Sequence, residues 1–230
     1  MRTERLALAG LAVWCAPAAA AVVPAAARLL AVPTQVERGI ALTFDDGPHP
    51  EGTPAVLEAL RAANAAATFF LVGEQVARWP SLAAEIAAEG HAVGVHCYRH
   101  TLLLRRTPGA IRDDLGRTAD AIGEATGAVP RLYRPPYGVF SLPALRLVRE
   151  LGWSPYLWSR WGRDWEHRAT PASIAALATR NLRDGDVVLL HDADHYSSAD
   201  SWRRTAAALP AVLDAVSQRG ASPVVLSQPR

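Results

Sequence analysis

The sequence predicts an α/β protein, a distorted (β/α) barrel of about seven parallel strands that is TIM-like in plan. From residue 40 onward, short apolar segments alternate with Ala/Leu/Arg-rich segments at helical spacing, which is typical of parallel strands joined by crossover helices. The unusual polar residues fall at the ends of several predicted strands, where barrel enzymes carry their chemistry. The sequence has no G-x-G-x-x-G turn, so a Rossmann-type site is not indicated.

The predicted elements alternate regularly along the chain. Thr53 is the expected N-cap of the first helix, with Pro54 at its first position, and Gly90, Gly127 and Gly152 end later helices. The apolar segments predict strands over residues 40–44, 67–72, 92–95, 132–133, 153–158, 186–190 and 222–226. The helical spacing predicts helices over 53–64, 80–89, 108–126, 142–151, 171–181 and 202–219.

Composition excludes several classes of chemistry. The chain has 230 residues, enough for one domain with a substantial core, and all 24 of its Lys+Arg residues are arginine. Without lysine there is no Schiff base, no pyridoxal anchor and no Walker-type phosphate site. The net charge is +2 and the arginines are scattered, so no nucleic-acid partner is expected. Cys15 and Cys97 lie far apart, and no disulfide framework is indicated.

The N-terminus predicts export from the cytoplasm. Two arginines precede an uncharged, alanine-rich run over residues 6–27, as in a secretory signal peptide. An uncleaved membrane anchor, with membrane association through this segment, is one alternative. A surface helix on a cytosolic protein is another. We therefore divide the chain into a leader over 1–32, a linker over 33–39 and a catalytic domain over 40–230, located outside the cytoplasm.

A pair of histidines and a pair of aspartates suggest a metal site. His96 and His100 are four residues apart, which places both on one side of a helical turn and lets them share an ion. Such a pair also arises by chance. Asp46 strengthens the prediction because two histidines and one aspartate leave open positions for water and substrate. Its neighbour Asp45 points elsewhere, which suggests one ligand and one base. The alternative is a solvated Asp-Asp-Gly turn.

Five motifs together resemble one enzyme family. They are Thr43-Phe44-Asp45-Asp46-Gly47-Pro48, His96-x-x-x-His100, Arg134-Pro135-Pro136-Tyr137-Gly138, Asp164-Trp165 and Leu189-Leu190-His191-Asp192. In this order and spacing they resemble the signature motifs of the polysaccharide deacetylase (NodB-homology) family of carbohydrate esterases, over roughly residues 40–230. The family's distorted (β/α) barrel agrees with the fold predicted above.

The resemblance implies a metal-dependent hydrolase. Asp46, His96 and His100 would hold a divalent ion, most often zinc in relatives and cobalt or nickel in some. Asp45 would be the general base toward the attacking water, and His191 the general acid toward the departing sugar amine.

The resemblance also implies supporting roles. Arg134 would orient Asp45, and Asp164 would orient His191 and raise its pKa. The backbone N–H of Tyr137 would stabilise the oxyanion, while Trp165 and Leu189 would line the pocket for the acetyl methyl group. The expected partner is an N-acetylated carbohydrate, chitin-like or peptidoglycan, and the chain is expected to be a monomer.

The sequence departs from the family after each metal-binding histidine. Cys97 stands where relatives carry Ser or Thr, and Thr101 where many carry Pro. Cys97 is either a fourth ligand or a small buried thiol beneath the loop. Trp158 and Trp161 either stack on sugar rings or pack in the core.

The sequence predicts removal of N-acetyl groups from a poly- or oligosaccharide. One alternative keeps the site but uses an O-acetyl ester or a small-molecule amide. Another is a catalytically silent carbohydrate-binding domain, although such a domain has no need to keep Asp45, Arg134 and His191 together.

Overall fold

A computed structural model describes residues 12–228 of the chain. Its strands are β1 (Ala41–Asp45), β2 (Thr68–Val72), β3 (Ala92–Cys97), β4 (Leu132–Tyr133), β5 (Ser154–Pro155), β6 (Arg160–Trp161) and β7 (Val187–His191). Its α-helices are α1 (Pro24–Leu29), α2 (Gly52–Ala62), α3 (Gly73–Arg78), α4 (Pro80–Ala88), α5 (Pro108–Thr126), α6 (Leu142–Glu150), α7 (Pro171–Ala178) and α8 (Ser201–Gln218). Short 3₁₀ helices cover Ala16–Ala21, Leu103–Arg105 and Pro136–Gly138.

The seven strands form one parallel sheet that curls into a half-barrel, which confirms the predicted fold class. The strand order is β5-β4-β3-β2-β1-β7-β6, so β1 is an interior strand that pairs with β2 on one side and β7 on the other. Asp45 at the end of β1 lies beside His191 at the end of β7. The carboxyl ends of parallel strands share one edge, which brings the polar residues after β1, β3 and β7 together.

Two apolar layers stabilise the sheet. Strand residues alternate in direction, so Leu42 and Phe44 pack outward among the helices, and the Phe44 ring stacks on Phe69 at 5.1 Å. A smaller inner cluster lies inside the curl and contains Ala41, Phe70, Leu132, Tyr156, Val187 and Leu226. The inner face thus changes from apolar near the start of β1 to polar at Thr43 and Asp45.

The predicted strand over 222–226 is wrong. This segment forms only a single bridge from Pro223 to Ile40, and Leu226 instead fills the inner cluster, with its N–H donating to Thr68 Oγ1 at 2.9 Å. The predicted strand over 153–158 shortens to β5 because the chain leaves the sheet after Pro155. It re-enters as the two-residue strand β6 (Arg160–Trp161), which the sequence analysis did not predict.

The predicted capping role of Thr53 is also wrong. Helix α2 begins at Gly52, and its N-cap residue Glu51 makes no side-chain capping bond. The Thr53 hydroxyl instead accepts from His49 N–H at 2.7 Å and donates to Asp192 Oδ2. It therefore ties the loop after β1 to the end of β7.

The described part of the predicted leader packs against the rest of the chain. Ala20, Ala27 and Val32 are buried, and the Leu157 N–H donates to the Pro33 carbonyl at 2.9 Å. The first part of the predicted leader, residues 1–11, lies outside the described residues. Among residues 12–228, no helix has both the length and the apolar character needed to cross a bilayer.

Candidate active site

Three side chains at the carboxyl edge of the sheet form a cluster suited to a metal ion. Asp46 Oδ1 lies 3.4 Å from Nε2 of both His96 and His100. This oxygen is buried and has no hydrogen-bond partner within the described residues. The cluster consists of one carboxylate and two imidazoles, a donor set that binds divalent transition metals.

A bend in the chain after β3, and not a helical turn, brings His96 and His100 together. His96 lies in β3, and the chain bends at Tyr98 and Arg99 before His100. The predicted helical turn over the two histidines is therefore wrong. Asp46 follows β1 with a φ of +78°, a left-handed conformation that aspartate adopts more readily than most residues. The turn separates its carboxylate from that of Asp45.

The charge states of Asp46 and His100 suit the binding of a metal ion. Burial alone would raise the pKa of Asp46, but the facing His96, His191 and His100 outweigh it and hold this pKa well below its usual range. Burial lowers the pKa of His100 to about 4 despite the nearby Asp46 carboxylate. Asp46 is thus anionic and His100 neutral at pH 7, as metal ligation requires.

Arg134 fixes the position of the Asp45 carboxylate. Its Nη1 donates to Asp45 Oδ1 and to Thr43 Oγ1, both at 2.8 Å, and its Nη2 donates to the Leu157 carbonyl at 3.1 Å. The guanidinium is fully buried, 4.2 Å from the Phe70 ring centre. A planar group with several donors can make all these bonds at once, and a lysine ammonium could not direct them in the same plane.

His191 is paired with Asp164 on the opposite side of the cluster. Its Nδ1 lies 2.9 Å from Asp164 Oδ1, and its backbone N–H donates to Asp164 Oδ2 at 2.7 Å. The Thr205 hydroxyl also donates to Oδ2, at 2.8 Å. Burial opposes a charged imidazole, but Asp164, Asp46 and Asp45 together raise the pKa of His191 to about 10. Its Nε2 lies 3.9 Å from Asp46 Oδ2, so the protonated ring faces the cluster.

A cavity of about 270 Å³ lies above these groups. Its floor is polar and its walls are aromatic. The floor contains Asp45, Asp46, His96, His100 and His191, and the walls contain Tyr137, Trp158, Trp161, Trp165, Leu189 and Tyr196. All three predicted pocket residues, Tyr137, Trp165 and Leu189, line this cavity.

The wall at Tyr137 has an unusual backbone. Tyr137 has a φ of +60°, a costly conformation for an aromatic residue. Gly138 follows with a φ of +69°, and a Cβ there would lie 2.6 Å from the Trp158 ring. The tight turn therefore requires glycine at 138 and fixes Tyr137 at the rim of the cavity.

Cys97 is not part of the candidate metal cluster. The cluster contains Asp46, His96 and His100, whereas the Cys97 thiol is buried and burial raises its pKa well above the usual value. A protonated buried thiol packs as a small apolar group. This geometry fits the second of the two expectations, a thiol beneath the loop.

A second group of possible ligands lies nearby. His49 Nε2 is 3.3 Å from Asp194 Oδ1, and the His195 ring lies 4.9 Å from the His49 ring. However, the backbone N–H groups of Glu51 and Gly52 both donate to His49 Nδ1. A neutral His49 therefore carries its proton on Nε2, where it can donate to Asp194 but cannot bind a metal.

Comparison with known proteins assigns the family. Residues 33–156 match the sequence model of the family described as Polysaccharide deacetylase. A chitooligosaccharide deacetylase of Azorhizobium caulinodans is 36% identical over 194 residues, which cover 81% of this chain and 92% of the relative. The chain belongs to the polysaccharide deacetylase family. Membership confirms the resemblance that the five motifs carry, and the predicted class of enzyme.

Other family members agree in sequence and in fold. A peptidoglycan-N-acetylglucosamine deacetylase of Bacillus cereus is 35% identical over 194 residues, covering 84% of this chain and 88% of the relative. A crystal structure of a peptidoglycan N-acetylglucosamine deacetylase bound to a naphthalenyl N-hydroxybenzamide matches with a TM-score of 0.78 at 30% identity, covering 84% of this chain and 89% of that one. The deacetylase fold therefore spans most of this chain.

The structure adds supporting residues that the sequence analysis did not assign. The contact of Thr43 with Arg134 could have been inferred from the sequence, because Thr43 lies two residues before Asp45 and so shares its face of β1. Thr205 lies on α8, 41 residues after Asp164, and carries no such signal. Tyr196 contacts His100 from the loop after β7, with ring centres 4.5 Å apart.

Proposed function

We propose that this polysaccharide deacetylase removes the acetyl group from N-acetylglucosamine units of a cell-envelope or chitin-like glycan, with zinc at Asp46, His96 and His100. One observation carries the proposal. Two ion pairs of different kinds flank this cluster, Asp45 with the buried Arg134 on one side and His191 with the buried Asp164 on the other. Amide hydrolysis requires a base that activates water and an acid that protonates the departing amine. Asp45 and His191 are suited to these two roles.

The cluster fits a tetrahedral metal ion. Zinc binds imidazole nitrogen and carboxylate oxygen at about 2.0–2.2 Å, so neighbouring ligand atoms of a tetrahedral site lie roughly 3.4 Å apart. Asp46 Oδ1 lies at this distance from both imidazoles and has no other partner among the described residues. When bound, the ion would lower the pKa of water and polarise the substrate carbonyl.

Asp45 is the proposed general base. It lines the cavity, and the described hydrogen bond from Arg134 reaches only its Oδ1. The carboxylate takes a proton from the attacking water, whose oxygen then bonds to the carbonyl carbon of the acetamide. The Tyr137 N–H stabilises the charge that develops on the carbonyl oxygen.

His191 is the proposed general acid. With a pKa of about 10 its imidazole is protonated at pH 7. It gives the Nε2 proton to the sugar nitrogen as the carbon–nitrogen bond breaks, so a neutral amine and acetic acid leave. The acetic acid then loses the remaining water proton to give acetate. An amide anion would be a far poorer leaving group, and positioned acids of this kind contribute about 10²–10⁴-fold to rate.

The aromatic walls provide the binding surface for the carbohydrate. Trp165 lies edge-on to His191, with ring centres 5.4 Å apart, and Leu189 lies on the same face of β7. These two groups leave an apolar space beside the acid for the acetyl methyl. The partly exposed Trp161 at the rim offers a face on which a neighbouring sugar ring can stack.

The relatives support the choice of substrate and location. The chitooligosaccharide and peptidoglycan deacetylases both act, by their names, on glycans with acetylated amino sugars. Peptidoglycan lies outside the cytoplasmic membrane, so we place this chain in the cell envelope. The alanine-rich leader over 1–32 is the proposed route of export.

Acetate release tests the proposal. Purified enzyme is assayed on chitin oligomers, peptidoglycan, acetylxylan and small acetamides, before and after chelation and zinc repletion. We expect zinc-dependent release from the first two. Activity confined to acetylxylan or to small amides would replace the substrate assignment, and zinc binding without any acetate release would indicate a silent carbohydrate-binding domain.

A further inference from the structure

The two histidines of the metal-binding cluster are supported differently. His96 Nδ1 lies 2.8 Å from the Arg134 carbonyl, which holds the proton on Nδ1 and leaves the Nε2 lone pair toward Asp46. His100 Nδ1 is buried and has no hydrogen-bond partner among residues 12–228. Metal-binding histidines almost always donate this second N–H to a protein group or water. The orientation of His100 must therefore come from packing.

Two tyrosines contact the His100 ring. The Tyr196 ring lies nearly parallel to it, with ring centres 4.5 Å apart and planes 13° apart. The Tyr137 ring meets it edge-on, at 4.6 Å and 67°. Among the described residues, Tyr196 therefore supplies the one aromatic ring that is stacked on a face of the imidazole.

Tyr196 is held at its far end and Tyr137 is not. The Tyr196 hydroxyl donates to Glu74 Oε1 at 2.8 Å and accepts from Gln75 Nε2 at 3.1 Å, and Gln75 is buried in α3. Tyr137 is 59% exposed. The stacked ring is therefore fixed by α3, a helix that lies outside the segment carrying His96 and His100.

We propose that Tyr196 is a positioning residue for the metal centre. Its ring, anchored to α3 through Glu74 and Gln75, holds the His100 imidazole facing Asp46. It does for His100 what the Arg134 carbonyl does for His96. The inference rests on the proposed metal site at Asp46, His96 and His100, and concerns metal affinity before any substrate binds.

Zinc affinity, measured without substrate by competition with a chromophoric chelator, tests the role. Tyr196→Leu and Tyr196→Gln are expected to lose about 10–100-fold in affinity, the usual effect of removing support from a metal ligand. Tyr196→Phe keeps the stacked ring but removes the hydroxyl that Glu74 and Gln75 hold, so its loss of affinity is expected to lie between the wild type and the two non-aromatic variants. The matched control is Trp153→Leu, because Trp153 is an aromatic residue that packs against the outer core and is not among the residues that line the cavity. This variant is expected to bind zinc as the wild type does.

A double-mutant cycle separates positioning of His100 from a general effect on the loop. In a His100→Ala background, Tyr196→Leu is expected to cause no further loss of zinc affinity, because the ring then has no ligand to orient. An equal loss in that background, an equal loss in Trp153→Leu, or unchanged affinity in both non-aromatic Tyr196 variants would overturn this inference and leave the proposed metal site standing. Failure of the wild-type protein to bind zinc would overturn the proposed metal site with it.

Discussion

Replacing Asp164 by asparagine tests the origin of the proposed general acid. The carboxylate of Asp164 is fully buried and faces His191 Nδ1 at 2.9 Å. Asparagine keeps the size of the side chain and one acceptor oxygen, which can still bind the His191 backbone N–H. It removes the negative charge and places an amide N–H where Oδ1 faced His191 Nδ1, so the change removes both the charge and the hydrogen bond by which Asp164 favours the protonated form of His191.

The magnitude follows from the charge separation. Opposite charges about 4 Å apart at an effective dielectric constant of about 20 interact by roughly 4 kcal/mol, which equals about 3 pKa units. The pKa of His191 is raised from 6.5 to about 10. Loss of the Asp164 charge should therefore return this pKa to ~7. The variant would then lose its proton near neutral pH, where the wild-type imidazole keeps it.

Histidine NMR titration of the metal-free protein measures this pKa directly. A His191 pKa in Asp164→Asn within half a unit of the wild-type value would refute the electrostatic account. Thr205→Val is the matched control, since it removes one hydrogen bond to Asp164 and leaves the charge in place. Its His191 pKa should stay close to that of the wild type. In the zinc-loaded enzyme, the alkaline limb of kcat/KM should move to lower pH in Asp164→Asn and stay in place in Thr205→Val.

Four further outcomes are expected. Asp45→Asn should lower kcat for acetate release by about 10²–10⁴-fold with unchanged zinc affinity by chelator competition, and retained activity would exclude Asp45 as the base. Arg134→Met should lower the free energy of unfolding, measured with denaturant, by about 3–5 kcal/mol because Asp45 is left buried and unpaired; a loss near zero would contradict this. Chelation should abolish acetate release and zinc should restore it, while activity that survives complete zinc removal would rule out a metal-dependent step. Stability of the metal-free protein should fall as pH rises from 6.5 to about 10, because folded His191 holds its proton over that range and the unfolded chain does not; Asp164→Asn should flatten this dependence in pH-dependent unfolding.

Much of the fold and of the proposed site could be predicted because both follow from local rules. Side chains alternate along a strand, and the carboxyl ends of parallel strands share one edge. Asp45, His96 and His191 therefore had to lie near one another once their strands were assigned. Thr43 obeys the same rule, and its bond to Arg134 was available from the two-residue spacing.

The remaining features depend on long-range packing that leaves no local pattern. Thr205 reaches Asp164 because α8 packs beside β7, and Tyr196 reaches Glu74 across 122 residues of chain. The alanine-rich segment before residue 33 presents a different difficulty. An apolar composition suits a signal peptide, a membrane helix or a surface that packs on protein, and hydropathy does not distinguish them. Only the folded chain shows Ala20 and Ala27 buried.

The neighbouring carboxylates Asp45 and Asp46 differ in environment because of the backbone between them. Asp45 is the last residue of β1 and keeps the inward direction of the strand, which places it against Arg134. At Asp46 the chain turns to a φ of +78°, and this carboxylate lies against His96 and His100 instead. Continued β geometry would have sent Asp46 outward among the apolar side chains beside Phe44. The left-handed turn thus places two like charges against different partners, Arg134 for Asp45 and the two histidines for Asp46, as the proposed division into one general base and one metal ligand requires.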